Sequence, residues 1–219
     1  IGAGLSGIGT AVRLQRDCPD RDFILLERRE AIGGTWDLFR YPGIRSDSDM
    51  HTLGYDFKPW EAEKSIADGP SILSYVNETA DEYRIRDRIR FTQKLIAADW
   101  CSERSQWQLT VETPEGIRRY RCGFLLMCAG YYSYDQGYEP DFEGKAAFRG
   151  EWIHPQFWPD SLDHADKKVV VIGSGATAMT LVPNMSRQAA HVTMLQRSPT
   201  YVISRSSIDG LANWLRRVL

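Results

Sequence analysis

The chain has 219 residues, 42% of them hydrophobic, and a formal net charge of -2. This size suits one or two packed domains, and the near-neutral charge gives no chain-wide attraction to nucleic acid or an anionic membrane, so no nucleic-acid partner is expected. No apolar run approaches the ~18 residues that a membrane span needs. The 4 cysteines lack CxxC spacing and no segment resembles a signal peptide, which favours a reducing, cytoplasmic setting.

The first feature along the chain is a glycine-rich fingerprint, GAGLSG at residues 2–7. Apolar spacing predicts a helix over 5–16, and the run at 23–26 predicts a buried parallel strand that ends at Glu27. In such a unit the glycines allow a tight turn and a close approach to a pyrophosphate, which lies at the helix N-terminus. An acid about 20 residues on binds a ribose hydroxyl. Glu27 is therefore predicted to bind ribose, and a solvated acid at a strand end is the alternative.

The middle of the chain combines a loop, a helix and a small sheet. The polar, turn-rich stretch from Gly33 to Asp47 predicts a binding loop, although a plain salt bridge between Arg45 and Asp47 is an equal alternative. Helical spacing is found over 72–83. Runs over 91–100, 107–111 and after Gly116 predict an antiparallel meander. The apolar run over 124–130 predicts a strand that returns to the first sheet.

A second fingerprint, GSGATA at residues 173–178, lies between predicted strands over 169–172 and 191–195. Here Gln196 and Arg197 occupy the place of the acid. A carboxylate would repel a 2′-phosphate, whereas a guanidinium binds it, so this site favours NADPH over NADH. A surface arginine is the alternative reading of Arg197. Two fingerprints, each with its strand and helix, are a much stronger signal than one.

The histidines do not predict a metal site. His51 and His154 each lack a second ligand at metal spacing, so a structural role is favoured for both. Only Ile1 precedes the first fingerprint, and the chain stops soon after the second unit's second strand. We therefore expect a fragment of a longer protein, truncated at both ends.

The segment between the fingerprints carries a family resemblance. Residues 148–158 match FxGxxxHxxxW through Phe148, Gly150, His154 and Trp158. This resembles the signature of Baeyer–Villiger monooxygenases, which are class B flavoprotein monooxygenases; related flavin monooxygenases end the pattern with Tyr or Phe. The stretches 33–50, 130–140 and 170–178 also resemble mycobacterial members of this family, so the resemblance covers essentially the whole chain.

The resemblance implies an NADPH-dependent flavin monooxygenase. NADPH would reduce FAD, and one atom of dioxygen would enter a ketone to give an ester or lactone, or would oxygenate sulfur in a thioether or thioamide. Two alternatives stay open: a flavin-containing N/S-monooxygenase without Baeyer–Villiger activity, and a noncatalytic nucleotide-binding remnant. A pyridine nucleotide–disulfide reductase is disfavoured because the segment 33–47 contains no cysteine.

The resemblance also implies site residues. FAD would be bound by Gly2, Gly4, Ser6, Gly7, Glu27, Thr35, Trp36, Asp37, Leu38, Asp47 and Leu95. NADPH would be bound by Arg45, Ser46, Asp47, Gly173, Ser174, Gly175, Ala176, Thr177, Ala178, Met179, Gln196 and Arg197. Asp47 would orient a catalytic arginine, and His154 would act through domain coupling. Arg205, Arg216 and Arg217 do not match that arginine, so residues 1–219 alone are expected to have no oxygenating turnover.

These readings define the expected architecture. We predict an α/β fold with two Rossmann-like dinucleotide-binding domains and a small antiparallel β-meander inserted in the first. The FAD-binding domain would cover 1–138, a linker with the signature 139–166, and the start of the NADPH-binding domain 167–219.

Overall fold

The chain folds as two units, each built from two stretches of sequence. A computed structural model describes residues 1–204 and 206–218. The first unit comprises Ile1–Asp37 and Leu73–Tyr132, and the second comprises Leu38–Ile72 with the residues from Ser133 onward. The predicted domain ranges stay predictions, and Arg205 lies outside the described residues.

The first unit begins with the fingerprint turn and helix α1, Leu5–Asp17. The apolar spacing of α1 buries Ile8, Ala11 and Val12 on one face, which confirms the predicted helix. Strand β1, Leu25–Leu26, pairs in parallel with β2, Ile89–Arg90. The predicted strand over 23–26 is thus shortened, because Phe23 and Ile24 have no ladder partner and Ile24 is 43% exposed. The Gly2 amide donates to the Leu26 carbonyl over 2.8 Å, which joins the fingerprint to β1.

The predicted meander is present as an antiparallel sheet in the order β3, β4, β5. Its strands are β3, Lys94–Cys101, β4, Gln106–Thr113, and β5, Gly116–Cys122. Leu109 and Val111 of β4 are buried in one cluster with Leu26 of β1. Burial of these side chains packs the meander against the parallel pair.

The predicted strand over 124–130 is wrong. Residues 124–130 have no regular secondary structure, and Phe124 is 87% exposed. The segment does make two hydrogen bonds to Ile1, from the Ile1 amino group to the Leu126 carbonyl over 2.7 Å and from the Cys128 amide to the Ile1 carbonyl over 2.8 Å. One partner residue cannot sustain a strand, because each further residue needs its own ladder bonds.

The second unit contains a β-α-β arrangement, as predicted. Strands β6, Lys168–Ile172, and β7, His191–Leu195, pair in parallel, with Lys168 opposite His191 and Ile172 opposite Leu195. Helix α5, Ala176–Met185, connects them and buries Ala178, Leu181 and Met185. The expected Rossmann-like α/β fold is confirmed.

The remaining helices are short or connect the main elements. They are α2, Thr35–Leu38; α3, Met50–Leu53; α4, Gly69–Glu82; and α6, Gly210–Val218. Helix α4 confirms the helix predicted over 72–83. In the second unit the Ser65 amide donates to the Ser207 carbonyl over 2.8 Å, and Arg216 donates to the Trp60 carbonyl over 2.7 Å. Within residues 1–204 and 206–218, every helix is too short or too polar to cross a membrane.

Candidate dinucleotide sites

The first fingerprint leaves the start of α1 open. Gly2 has φ of 99°, in the left-handed region that favours glycine. Gly4 is the N-cap residue, so no side chain caps the helix, and its first turn has no acidic residue. A Cβ on Gly7 would overlap the Gly2 carbonyl, so this glycine is required for packing of the helix against the turn. The N-terminus of α1, with its positive dipole end and no capping side chain, can therefore receive an anion.

Glu27 connects the fingerprint to the end of β1. Its side chain is buried, with the whole residue 3% exposed. Oε2 accepts from the Ala3 amide over 2.7 Å, and Oε1 accepts from the Arg29 amide over 2.9 Å. Glu27 thus lies beside the fingerprint as the sequence predicts, and two backbone amides fix its orientation.

Arg29 is a residue that the sequence reading missed. Its guanidinium pairs with Asp37 over 2.6 Å and donates to the Gly34 carbonyl over 3.2 Å. The Gly33 amide donates to the Ala3 carbonyl over 3.0 Å, so the Gly33–Gly34 turn also lies against the fingerprint. No periodicity indicated this role, because residues 28–30 form a bend after the end of β1.

The other residues predicted for the first site vary in exposure. Ser6 is exposed, while Thr35, Trp36 and Leu38 are half-buried in or beside α2. Leu95 pairs with Val111 in the meander and packs on the buried cluster around Leu26.

The second fingerprint repeats the local geometry of the first. Gly173 has φ of 125°, and Gly175 is the N-cap of α5, with no capping side chain and no acid in the first turn. A Cβ on either glycine would meet no atom within 4 Å, so the backbone faces open space. Ala176, Thr177, Ala178 and Met179 form the first turn, and the Met179 amide donates to the Gly175 carbonyl over 3.0 Å.

Gln196 and Arg197 lie next to this turn. The Gly173 amide donates to the Leu195 carbonyl over 2.9 Å, and Gln196 and Arg197 follow directly with exposed side chains. The Thr200 hydroxyl also bonds to the Ser174 hydroxyl over 2.8 Å. The end of β7, two residues before Arg197, therefore lies beside the second fingerprint, and the role of Arg197 stays a prediction.

The loop Tyr41–Asp47 lies in the second unit, which also contains the second fingerprint. The Ser46 amide donates to the Ala67 carbonyl over 2.8 Å, and the Ser46 hydroxyl accepts from the Ala67 amide over 3.0 Å. Arg45 and Asp47 are exposed, while Tyr41 is buried and hydrogen-bonded to Thr177. Burial is the main cause that raises the pKa of Tyr41 above its ordinary value of 10.0.

The signature segment is organised by local bonds. His154 Nδ1 accepts from the Gln156 amide over 3.2 Å. Gln156 is buried and donates to the Ser133 carbonyl over 2.6 Å. Phe148 meets Trp152 edge-on at 6.0 Å between ring centroids, and Trp158 is half-buried. Across the described part of the chain, no group of three or more His, Cys, Asp or Glu side chains could hold a metal ion.

Paired Rossmann-type turns and the signature segment are the pattern expected of the flavin monooxygenase family, and the family comparison agrees. Residues 54–215 match the model described as flavin-binding monooxygenase-like, and residues 1–62 match that of the NAD(P)-binding Rossmann-like domain. The chain belongs to the flavin-binding monooxygenase-like family.

Individual relatives confirm the predicted resemblance to a mycobacterial monooxygenase. The FAD-containing monooxygenase EthA of Mycolicibacterium smegmatis is 55% identical over 220 residues, which cover 100% of this chain and 45% of that protein. The structure of oxidized steroid monooxygenase bound to NADP has a TM-score of 0.83 and 30% identity, and covers 99% of this chain and 41% of that one. The OTEMO complex with FAD and NADP has a TM-score of 0.77 and 29% identity, with 99% and 43% covered. The chain thus spans less than half the length of these relatives.

Proposed function

We propose that the first unit binds FAD and the second binds NADPH, as the cofactor-binding part of a monooxygenase. The substrate would be a small ketone, converted to an ester or lactone, or a sulfur compound. The observation that carries this proposal is the repeated geometry of two glycine-capped helices, α1 and α5, each with a left-handed first glycine before it. The OTEMO structure, which contains both FAD and NADP, supports the pairing.

The first site fits FAD. A pyrophosphate would meet the positive N-terminus of α1, which has no capping side chain and no carboxylate in the first turn to repel it. A carboxylate has about four lone-pair positions, and the Ala3 and Arg29 amides use two of those on Glu27. Acceptor capacity is left for ribose hydroxyls. The Arg29–Asp37 pair would hold the Gly33–Gly34 turn beside the same nucleotide.

The second site fits NADPH. Gly173 and Gly175 leave open space where a pyrophosphate would approach, and Arg197 follows the strand end that bonds to Gly173. Its guanidinium would pair with a 2′-phosphate, with Gln196 as a neutral neighbour. The absence of a carboxylate at positions 196 and 197 favours the phosphorylated nucleotide.

The bound nucleotides supply hydride transfer and dioxygen activation. Residues of this chain would hold them in place, and Asp47 would orient an arginine from the remainder of a full-length monooxygenase. The exposure of Asp47 supports this role. Four unpaired cysteines also support a cytoplasmic setting.

A binding experiment tests both sites. The chain is titrated with FAD by flavin fluorescence, and with NADP⁺ and NAD⁺ by calorimetry. Arg197→Ala should weaken NADP⁺ binding about 10- to 100-fold, the value of a charged hydrogen-bonded contact, and change NAD⁺ binding little. Arg187→Ala is the matched control, because Arg187 is exposed and follows the far end of α5, roughly 15 Å from the fingerprint.

Two results would contradict the proposal: no FAD binding, or equal losses of NADP⁺ and NAD⁺ binding on Arg197→Ala. The oxygenation itself is tested in a chimaera that continues this chain with the remaining part of the Mycolicibacterium relative. Under NADPH and dioxygen it should form product from a ketone or a thioether, while residues 1–219 alone should form none.

A further inference from the structure

Tyr41 is tied to the second fingerprint helix through its hydroxyl. The residue is 7% exposed, and its side chain hydrogen-bonds to that of Thr177, in the first turn of α5. A phenylalanine could fill the same volume, so packing alone does not require the hydroxyl group. The hydroxyl connects the loop to the start of α5.

A second contact joins the same loop to the other end of α5. Gly43 has φ of 78°, and a Cβ there would overlap the Asn184 side-chain amide. Asn184 is itself held, since it donates to the Thr180 carbonyl over 2.7 Å. The loop therefore touches α5 near both its first and last turns.

The far side of the loop is held by backbone bonds. Ser46 pairs with Ala67, and the Gly69 amide donates to the Ile44 carbonyl over 2.8 Å. Arg45 and Asp47 are exposed on a loop that is fixed on both sides. A shift of the loop on α5 would move both charged side chains relative to the fingerprint.

We propose that Tyr41 is a positioning residue for the nicotinamide nucleotide: its bond to Thr177 fixes the Tyr41–Asp47 loop on the first turn of α5. This inference rests on the NADPH site proposed above. Tyr41 acts through Thr177 and through the loop, and it does not itself contact the reacting atoms. The expected effect is much larger on NADP⁺ affinity than on FAD affinity, because Glu27 and the first fingerprint belong to the other unit.

The test is a double-mutant cycle on this chain, measured by calorimetry with NADP⁺ and by flavin fluorescence with FAD. Tyr41→Phe should weaken NADP⁺ binding about 3- to 10-fold, the value of one hydrogen bond, and change FAD affinity much less. Because Thr177→Val removes the same bond, adding Tyr41→Phe to it should cause no further loss. Fully additive losses would overturn the proposal.

Two glycine variants provide an independent test of the loop contact. Gly43→Ala should weaken NADP⁺ binding, because both its φ and the Asn184 contact oppose a side chain. Gly144→Ala is the matched control, since Gly144 has φ of 80° and no atom within 4 Å of an added Cβ. If Tyr41 has a purely structural role, Tyr41→Phe will lower stability and leave NADP⁺ affinity unchanged, or will weaken the binding of both nucleotides equally. Either result overturns the inference. If the unmodified chain binds no NADP⁺, the NADPH site fails and this inference fails with it.

Discussion

Replacement of Glu27 by glutamine tests the first site most directly. Both carboxylate oxygens of the buried side chain accept backbone amides, at 2.7 Å from Ala3 and 2.9 Å from Arg29. Glutamine keeps one acceptor and presents an NH₂ group to the other amide, which is left without a partner. A buried unsatisfied donor costs about 1–3 kcal/mol, and the retained bond also loses its charge assistance. We expect the first unit to lose roughly 2–3 kcal/mol in unfolding free energy.

The assay is thermal unfolding by circular dichroism, with and without FAD. For a chain of this size the loss corresponds to a midpoint lower by roughly 5–10 °C. Loss of the charged ribose acceptor should also weaken FAD binding about 10-fold or more. Glu30→Gln is the matched control, because Glu30 is exposed and close in sequence. Identical midpoints and FAD affinities for the two variants would refute the reasoning. A lower midpoint with unchanged FAD affinity would mean that Glu27 stabilises the fold and does not bind FAD.

Two further predictions concern packing and pH. Gly7→Ala should lower the unfolding free energy by about 1–3 kcal/mol or more and abolish FAD binding, because its Cβ would overlap the Gly2 carbonyl. The control is Gly123→Ala, which has no atom within 4 Å of its Cβ and should change little in the same unfolding and fluorescence assays. Because burial raises the pKa of Tyr41, its contribution to stability should be full below about pH 10 and lost as pH rises through the higher folded-state pKa. Urea unfolding of the wild type and Tyr41→Phe at about pH 8 and about pH 11 measures this. An unchanged difference between the two proteins would contradict it.

Local patterns carried most of the correct sequence predictions. Helix α1, helix α5 and the meander follow from periodicity and turn residues close together in sequence, and the glycine spacing predicted both fingerprint turns. The wrong strand over 124–130 had the right composition, but a strand also needs a partner, and Ile1 supplies only two bonds.

Side-chain partners distant in sequence were not predictable in the same way. The hydrogen bond between Tyr41 and Thr177 depends on how the loop packs on α5, and the spacing of residues in the sequence does not predict this packing. The Arg29–Asp37 pair is nearer in sequence, but it requires the Gly33–Gly34 turn to bring the two side chains together. Local sequence rules therefore locate glycine turns and strand-end acids better than they locate the contacts that hold them.

The discontinuous second unit has a consequence for the order in which the protein can fold during synthesis. Ser65 and Trp60 bond to Ser207 and Arg216, and the loop from Tyr41 packs on α5, so the stretch Leu38–Ile72 meets its partners only after they emerge from the ribosome. These contacts close long loops, which slows folding. Until then Trp60, which is buried in the final structure, lacks its hydrogen bond from Arg216. A chaperone that binds exposed apolar segments would therefore find a target in the stretch Leu38–Ile72 during this interval.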